Sequence, residues 1–227
     1  MRINKYLANQ GLSTRRGADE LIERGLVLIN GRKAKLGDKV NETDKVELKP
    51  QTKKITYRYF AYHKPRGVVT HSPQLDELDV LEASGLKNVF PIGRLDKSST
   101  GLIILTNDGR VTDRLLNPSK EHEKEYEVTV AEVLKPSFED KMSRGVRLED
   151  YTTKPCQVIV LNDYTFRITL TEGKKHQIRR MCAALGYVTR DLKRTRILNL
   201  KLANMRAGTY REIHSGELAS FLKLLGL

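Results

Sequence analysis

One stretch in the middle of the chain decides the fold: Phe90-Pro91-Ile92-Gly93-Arg94-Leu95-Asp96-Lys97-Ser98-Ser99-Thr100-Gly101-Leu102. It joins a polar loop to a hydrophobic strand that continues to Thr106 and meets the turn sequence Asn107-Asp108-Gly109. Loops held by a rigid strand are common places for catalytic groups, and this loop sets one carboxylate, Asp96, between two cations. No G-K-[ST] follows, so the loop is not a phosphate-binding P-loop. A purely structural alternative is that Asp96 caps a turn or pairs with Arg94.

Further strands are predicted on both sides of this loop. Tyr59 to Tyr62 precede the turn Lys64-Pro65-Arg66-Gly67, and apolar residues alternate with polar ones from Tyr126 to Val130 and from Phe166 to Leu170. Three helices interrupt these strands, over residues 136–145, 176–185 and about 217–225. The pattern predicts an α+β domain with a large, mostly antiparallel sheet and flanking helices, over residues 58–227.

The first fifty residues predict a separate small domain of two helices and a sheet. Ile3 and Leu7 repeat at helical spacing, and Ser13 or Thr14 can cap a second helix that Gly25 ends. Asn30-Gly31 is a strong hairpin signal, and Val40 and residues 46–48 supply further short strands. Residues 51–57 form the predicted linker. Four basic residues cluster on the helical half: Lys5, Arg15, Arg16 and Arg24.

The charge of the chain favours a polyanionic partner. Its 227 residues carry a formal net charge of +13, and neutralising phosphates would release condensed counterions. No apolar run approaches the roughly 18 residues of a membrane span, and the polar N-terminus does not resemble a signal peptide. Cys156 and Cys182 are far apart and the histidines lack metal-binding spacing, so we expect a reducing cytoplasm and no metal site.

A second basic stretch, Glu172 to Met181, places Lys174 and Lys175 at the start of a predicted helix, where lysines oppose the helix dipole unless an anion docks on them. Arg179 lies at the edge of the apolar stripe, from which it could pair with a partly buried carboxylate. A solvated basic face is the alternative for Lys174, Lys175 and Arg180. Tyr126 has an equally simple alternative, a buried core tyrosine.

Four ordered segments resemble pseudouridine synthases, in the RsuA-like branch that modifies bacterial ribosomal RNA. The segments are Gly93 to Gly109, His63 to Val69, Lys124 to Val128, and Gly173 to Met181. The first fifty residues resemble the S4-type RNA-binding domain that precedes the catalytic domain in this branch. The similarity covers nearly the whole chain and is greatest to large-subunit synthases of the F type.

The resemblance implies a site without cofactor or metal. Asp96 corresponds to the catalytic aspartate, Arg179 to the residue that pairs with it, and Tyr126 to the tyrosine that stacks on the target base. Ile178 and Arg94 would line or steady the flipped-out base. The RNA contacts implied by the resemblance and by charge are Lys5, Arg15, Arg16, Arg24, Lys64, Arg66, Lys97, Lys174, Lys175 and Arg180.

The implied substrate is a uridine in a structured stem-loop of 23S ribosomal RNA or of its assembly intermediate. We expect a monomer that acts in the cytoplasm, with no membrane partner and no small-molecule substrate. Three alternatives remain at this point: the same reaction on small-subunit RNA, a non-catalytic RNA-binding or ribosome-associated factor, and an RNA-processing hydrolase. The last would need a metal cluster or a histidine pair, which the sequence does not indicate.

Overall fold

The computed structural model describes residues 1–10, 12–13, 15–49 and 56–227, and it gives no side-chain position for Arg16. Contacts divide the chain into two compact units, residues 1–57 with 108–113, and residues 58–107 with 114–227. No helix in the described ranges is long and apolar enough to cross a membrane. Residues 51–55 of the predicted linker, which spans 51–57, lie outside the described residues.

The first unit pairs two helices with a small sheet. Helices α1 (Ile3–Asn9) and α2 (Arg15–Glu23) pack on strands β1 (Val27–Ile29), β2 (Arg32–Lys33) and β3 (Val46–Leu48), which form an antiparallel sheet in the order β2-β1-β3. Ile3, Leu7 and Val27 belong to the core between them. The strand predicted at Val40 is wrong: Val40 is buried outside any strand, and only its neighbour Lys39 forms an isolated bridge, to Arg2.

The second unit is built on a sheet of nine strands within the described residues. Its strands are β4 (Tyr59–Lys64), β5 (Phe90–Ile92), β6 (Thr100–Thr106), β7 (Lys124–Val130), β8 (Gln157–Asn162), β9 (Thr165–Leu170), β10 (Thr189–Ile197), β11 (Leu200–Lys201) and β12 (Tyr210–Glu212). The main order is β12-β4-β6-β10-β7-β9-β8, with β5 paired to β6 and β11 paired to β10. All of these pairs are antiparallel except β6 with β10, so the expected mostly antiparallel sheet is confirmed.

Five helices and one 3-10 turn lie between residues 58 and 227, and residues 110–113, at the start of one of these helices, group with the first unit. They are α3 (Val80–Ser84), α4 (Arg110–Leu116), the 3-10 turn Pro118–Lys120, α5 (Phe138–Ser143), α6 (Gln177–Ala184) and α7 (Ser215–Leu224). The three helices predicted in this domain correspond to α5, α6 and α7. One core cluster includes Tyr126, Phe138, Phe166 and Ile178, from β7, α5, β9 and α6.

The parallel contact between β6 and β10 is unusually close. Thr100 and Gly101 pair with Lys193 and Arg194, and Gly101 has φ +110°. A Cβ atom at Gly101 would lie 2.3 Å from the carbonyl oxygen of Arg194 and 2.5 Å from its amide nitrogen. Glycine is therefore required here both by the backbone conformation and by the lack of space.

We expect Gly101→Ala to lower the free energy of unfolding by roughly 2–4 kcal/mol, since overpacking and a strained backbone both oppose it. Urea denaturation measures the loss. Gly173→Ala is the control, because no atom lies within 4 Å of its added Cβ and its φ is not positive. Equal stability of the two variants would contradict the close approach of β6 and β10.

Two lysines of the sheet are fully or partly buried. Lys64, at the end of β4, is fully buried, and its Nζ donates to the carbonyl oxygens of Pro65 and Val68 at 2.9 and 2.6 Å. Burial lowers the pKa of Lys64 from 10.5 to about 8, although the negative charge of Asp96 opposes the shift. Burial likewise lowers the pKa of Lys124, at the start of β7, to about 8, and the positive charge of Arg194 adds to the shift.

A lysine whose pKa is lower in the folded state than in the unfolded state destabilises the fold while it is charged. This destabilisation is fully present below pH 8 and decreases as the pH rises toward 10.5. We therefore expect the stability of the wild type relative to Lys124→Met to increase between pH 8 and 10, as measured by urea denaturation. Tyrosine and thiol titrations are common to both proteins and cancel. A constant difference across this range would mean that Lys124 is solvated.

Candidate active site

The loop that carries Asp96 is held by the segment that follows β4. The Thr70 hydroxyl donates to the carbonyl oxygen of Leu95 at 2.8 Å and accepts from the Leu95 amide at 3.0 Å. The amide of Gly67 donates to the carbonyl oxygen of Lys97 at 2.8 Å. The backbone on both sides of Asp96 is thereby fixed, which suits a group that must keep its position during a reaction.

Asp96 opens onto a cleft of about 190 Å³. Of the described residues that line it, Asp96 is the one carboxylate, and the positively charged lining residues are Arg94, Lys97 and Lys175. The side chain of Asp96 is 37% exposed. The cleft thus surrounds a single accessible negative charge with cations, an arrangement that favours binding of a polyanion around a reactive carboxylate.

The ionisable side chain nearest to Asp96 differs from the one that the sequence predicted. His176 Nε2 lies 3.5 Å from Asp96 Oδ1. Arg179 instead donates from Nη2 to the Ser99 hydroxyl at 3.3 Å and from Nη1 to the carbonyl oxygen of Thr189 at 3.4 Å. Within the part of the chain that the structure describes, Arg179 forms no ion pair with Asp96, so that prediction is wrong for this structure.

The reason lies in the start of α6. His176 precedes the helix with φ +53°, a left-handed conformation that is unusual for a residue other than glycine. This conformation brings the imidazole toward Asp96. Arg179 reaches only the turn that follows Asp96, where the Ser99 amide donates to the carbonyl oxygen of Asp96 at 3.0 Å. Arg179 therefore supports the turn rather than the carboxylate.

Tyr126 and Ile178 lie beside the cleft but do not line it. Both belong to the core cluster that contains Leu95, the neighbour of Asp96, and their exposed fractions are 9% and 5%. Tyr126 shares a face of β7 with Val128 and Val130, which are fully buried, so it packs as the core alternative predicts. The structure therefore packs Tyr126 in the same core cluster as Leu95, and its ring does not line the cleft.

The predicted RNA contacts separate into buried, paired and unpaired side chains. Lys64 was predicted to bind the RNA backbone, but it is fully buried and cannot reach a phosphate. Three others contact carboxylates: Arg66 with Asp191 at 2.6 Å, Lys97 with Glu77 at 2.8 Å, and Arg180 with Asp150. Lys174 Nζ lies 3.5 Å from the centre of the Tyr151 ring. Arg94, Lys175, Lys5, Arg15 and Arg24 are exposed, and the side chain of Arg16 is outside the described residues.

Three residues of the site were missed by sequence reasoning: Thr70, His176 and Arg194. Arg194 is 3% exposed and donates to carbonyl oxygens on both sides of Asp96 in the chain, those of Arg94 and Leu102. No local pattern predicts these contacts, because each joins segments distant in the chain. The described residues also contain no group of three or more His, Cys, Asp or Glu that could hold a metal ion.

Comparison with known proteins identifies the family of both domains. Residues 58–184 match the family model described as RNA pseudouridylate synthase, and residues 1–46 match the S4 domain. The dual-specificity RNA pseudouridine synthase RluF of Escherichia coli K12 is 40% identical over 99% of this chain and 79% of its own length. A solved structure titled as pseudouridylate synthase is 30% identical, covers 99% of both chains and has a TM-score of 0.72.

Two other relatives carry ribosomal names. Ribosomal large subunit pseudouridine synthase B of Bacillus subtilis is 34% identical over 93% of this chain and 91% of its own. Ribosomal small subunit pseudouridine synthase A of Vibrio cholerae is 34% identical over 98% of this chain and 100% of its own length. These similarities exclude the purely RNA-binding alternative. The chain belongs to the RNA pseudouridylate synthase family and is an isomerase that combines an S4 domain with a pseudouridine synthase domain.

Proposed function

We propose that this synthase isomerises a uridine of ribosomal RNA, in the large subunit, with Asp96 as its catalytic carboxylate. The observation that carries the proposal is the position of Asp96, the single carboxylate among the described residues of a cleft with three cations. The reaction breaks the bond between uracil N1 and ribose C1′, turns the base and forms a C5–C1′ bond. The proton at C5 is lost and one returns to N1, so atoms balance without an added group.

Asp96 is the carboxylate in this cleft, and we assign it the role of nucleophile or base on the uridine. Its loop is held on both sides by Thr70 and Gly67, so the carboxylate is already in place before the RNA arrives. We assign Arg179 the role of holding the turn after Asp96 through Ser99.

The target uridine must leave its stack, at a cost of about a few kcal/mol. Arg94 is exposed at the rim of the cleft and is our candidate for steadying the flipped-out base. Tyr126 and Ile178 belong to the same core cluster as Leu95 and would support the loop from the interior of the domain. The phosphates around the cleft would be bound by Lys97, Lys174, Lys175 and Arg180. Arg66, which precedes Gly67 in the turn that holds the loop, would bind a further phosphate.

The proposal that the substrate is ribosomal RNA is supported by the names of two relatives that align with nearly the whole chain. The large-subunit and small-subunit relatives are both 34% identical, so we base the choice of the large subunit on the motif resemblance of residues 122–130 and 193–200. The dual specificity named for the 40% identical relative supports a second RNA substrate as well. We propose that the protein acts as a monomer in the cytoplasm, where its two free cysteines stay reduced.

We expect Asp96→Asn to abolish turnover, by on the order of a thousandfold or more, while RNA affinity changes little, because the amide keeps the shape of the side chain and loses its charge. The measurement is release of tritium from C5-labelled uridine in deproteinised large-subunit RNA, small-subunit RNA and a tRNA fraction, without metal or cofactor. Asp76→Asn is the control, since Asp76 is an exposed carboxylate of a neighbouring loop whose φ of +67° asparagine tolerates.

Release by the wild type and by Asp76→Asn, but not by Asp96→Asn, supports the assignment, and the labelled RNA that reacts identifies the substrate class. Full activity of Asp96→Asn would remove Asp96 from the chemistry. Release from small-subunit RNA alone would replace the proposed substrate, while release from ribosomal RNA and tRNA together would establish dual specificity.

The S4 domain offers a separate test of RNA binding. Arg15 and Arg24 are exposed on the helical half and form no ion pair among the described residues, whereas Arg32 and Lys45 of the sheet pair with Asp38 and Glu47. Replacing Arg15 and Arg24 with alanine should weaken RNA binding and reduce the slope of log K against log salt by roughly one per lost phosphate contact. The Arg32→Ala, Lys45→Ala double variant is the control, and an equal loss in both would indicate nonspecific attraction by net charge.

A further inference from the structure

Arg194 connects the two ends of the catalytic loop. Its Nε donates to the carbonyl oxygen of Leu102 at 2.7 Å, and its Nη1 donates to the carbonyl oxygen of Arg94 at 3.4 Å. Asp96 lies between these two carbonyl groups in the chain. One planar guanidinium thus bridges the residue at which the loop begins and the strand into which it continues, and its rigid fork limits how far the two can separate.

The main chain of Arg194 fixes the same loop a second time. Arg194 pairs with Gly101 in the parallel contact of β6 and β10, and the absent side chain of Gly101 allows this approach. The end of the loop is therefore held by both the main chain and the side chain of one residue. Because Arg194 is 3% exposed, water does not compete for these hydrogen bonds.

The charge of Arg194 has no carboxylate partner among the described residues, and its Nη2 is buried without a hydrogen bond. Burying a guanidinium on carbonyl groups alone is unfavourable compared with an apolar side chain. Its field reaches Lys64, whose pKa it helps to lower, and Lys64 in turn interacts with the negative charge of Asp96. Arg194 and Lys64 are therefore two buried cations close to the loop that carries Asp96.

We propose that Arg194 is a positioning residue for the isomerisation: it holds the span from Arg94 to Leu102 at a fixed length and so keeps Asp96 in its reactive place. Arg194 does not touch the RNA and acts only through the loop. This inference rests on the proposed role of Asp96. It adds to the site a residue from a strand that lies 92 positions away from Leu102 in the chain.

The test compares Arg194→Lys and Arg194→Met with Arg196→Lys and Arg196→Met. Arg196 is the matched control, because it is a partly buried arginine of the same strand that contacts Glu123 and the carbonyl oxygen of Leu198 rather than the loop. Tritium release gives kcat and KM, filter binding gives the RNA dissociation constant, and circular dichroism gives the melting temperature, so that all assays run where every variant is folded.

We expect Arg194→Met to lower kcat about 10- to 100-fold, with KM and the RNA dissociation constant within about twofold of the wild type, since small displacements of a catalytic group reduce the rate by such factors. Arg194→Lys should recover part of kcat, because an ammonium keeps the charge and can bond one of the two carbonyl groups. If Arg194→Met does not fold, the lysine variant carries the test alone. The Arg196 variants should keep kcat within about twofold.

Unchanged kcat in folded Arg194 variants would overturn the proposal. A loss confined to KM or to RNA affinity would also overturn it, by making Arg194 part of the binding surface, and an equal loss of kcat in the Arg196 variants would show a general effect on the sheet. Asp96→Asn is included in each series. Activity in that variant would refute the role of Asp96, a result distinct from any outcome at Arg194.

Discussion

Where β6 begins, Gly101 lies against the main chain of Arg194 so closely that no side chain fits between them. This is the one parallel contact in a sheet whose other described pairs are antiparallel. Parallel strands cannot be joined by a tight turn, and here the connection contains β7, β8, β9 and the helices α5 and α6. The end of the catalytic loop is therefore fixed only when the rest of the domain has folded, and the site is a product of the tertiary structure rather than of the loop itself.

The second constraint is electrostatic. Lys64 and Arg194 are buried beneath the loop, and both bond to carbonyl oxygens rather than to carboxylates. Buried cations without a counter-ion destabilise a fold, so an apolar pair would pack here at lower cost. A fixed positive field under Asp96 requires no rearrangement when the substrate binds, which is the property that gives preorganised charges their catalytic value. The burial of the charged Lys64 lowers the stability of the fold, and ionisable groups with shifted pKa values are common at functional sites.

Sequence predicted the elements of the fold and the loop of Asp96, because both depend on local patterns. Alternation of apolar residues predicted β7 and β9, and the polar loop before an apolar strand predicted the place of Asp96. The failures concern contacts between distant segments. Arg179 was expected on Asp96, but the left-handed φ of His176 brings the imidazole there instead. The turn sequence around Lys64 predicts a lysine on the surface. Its burial depends on the complete sheet and cannot be predicted from the local sequence.

Burial, rather than pairing, decides which cations can still bind RNA. Lys97 and Arg66 each contact a carboxylate. Their side chains are nevertheless more than half exposed, Lys97 at 55% and Arg66 at 53%. Exposed pairs contribute only about 0–1 kcal/mol, so a phosphate can replace the carboxylate at little cost. Lys64, in contrast, would have to leave the protein interior and its two carbonyl partners. The paired residues therefore remain candidates for RNA binding, whereas Lys64 does not. The charge of Lys64 interacts instead with that of Asp96.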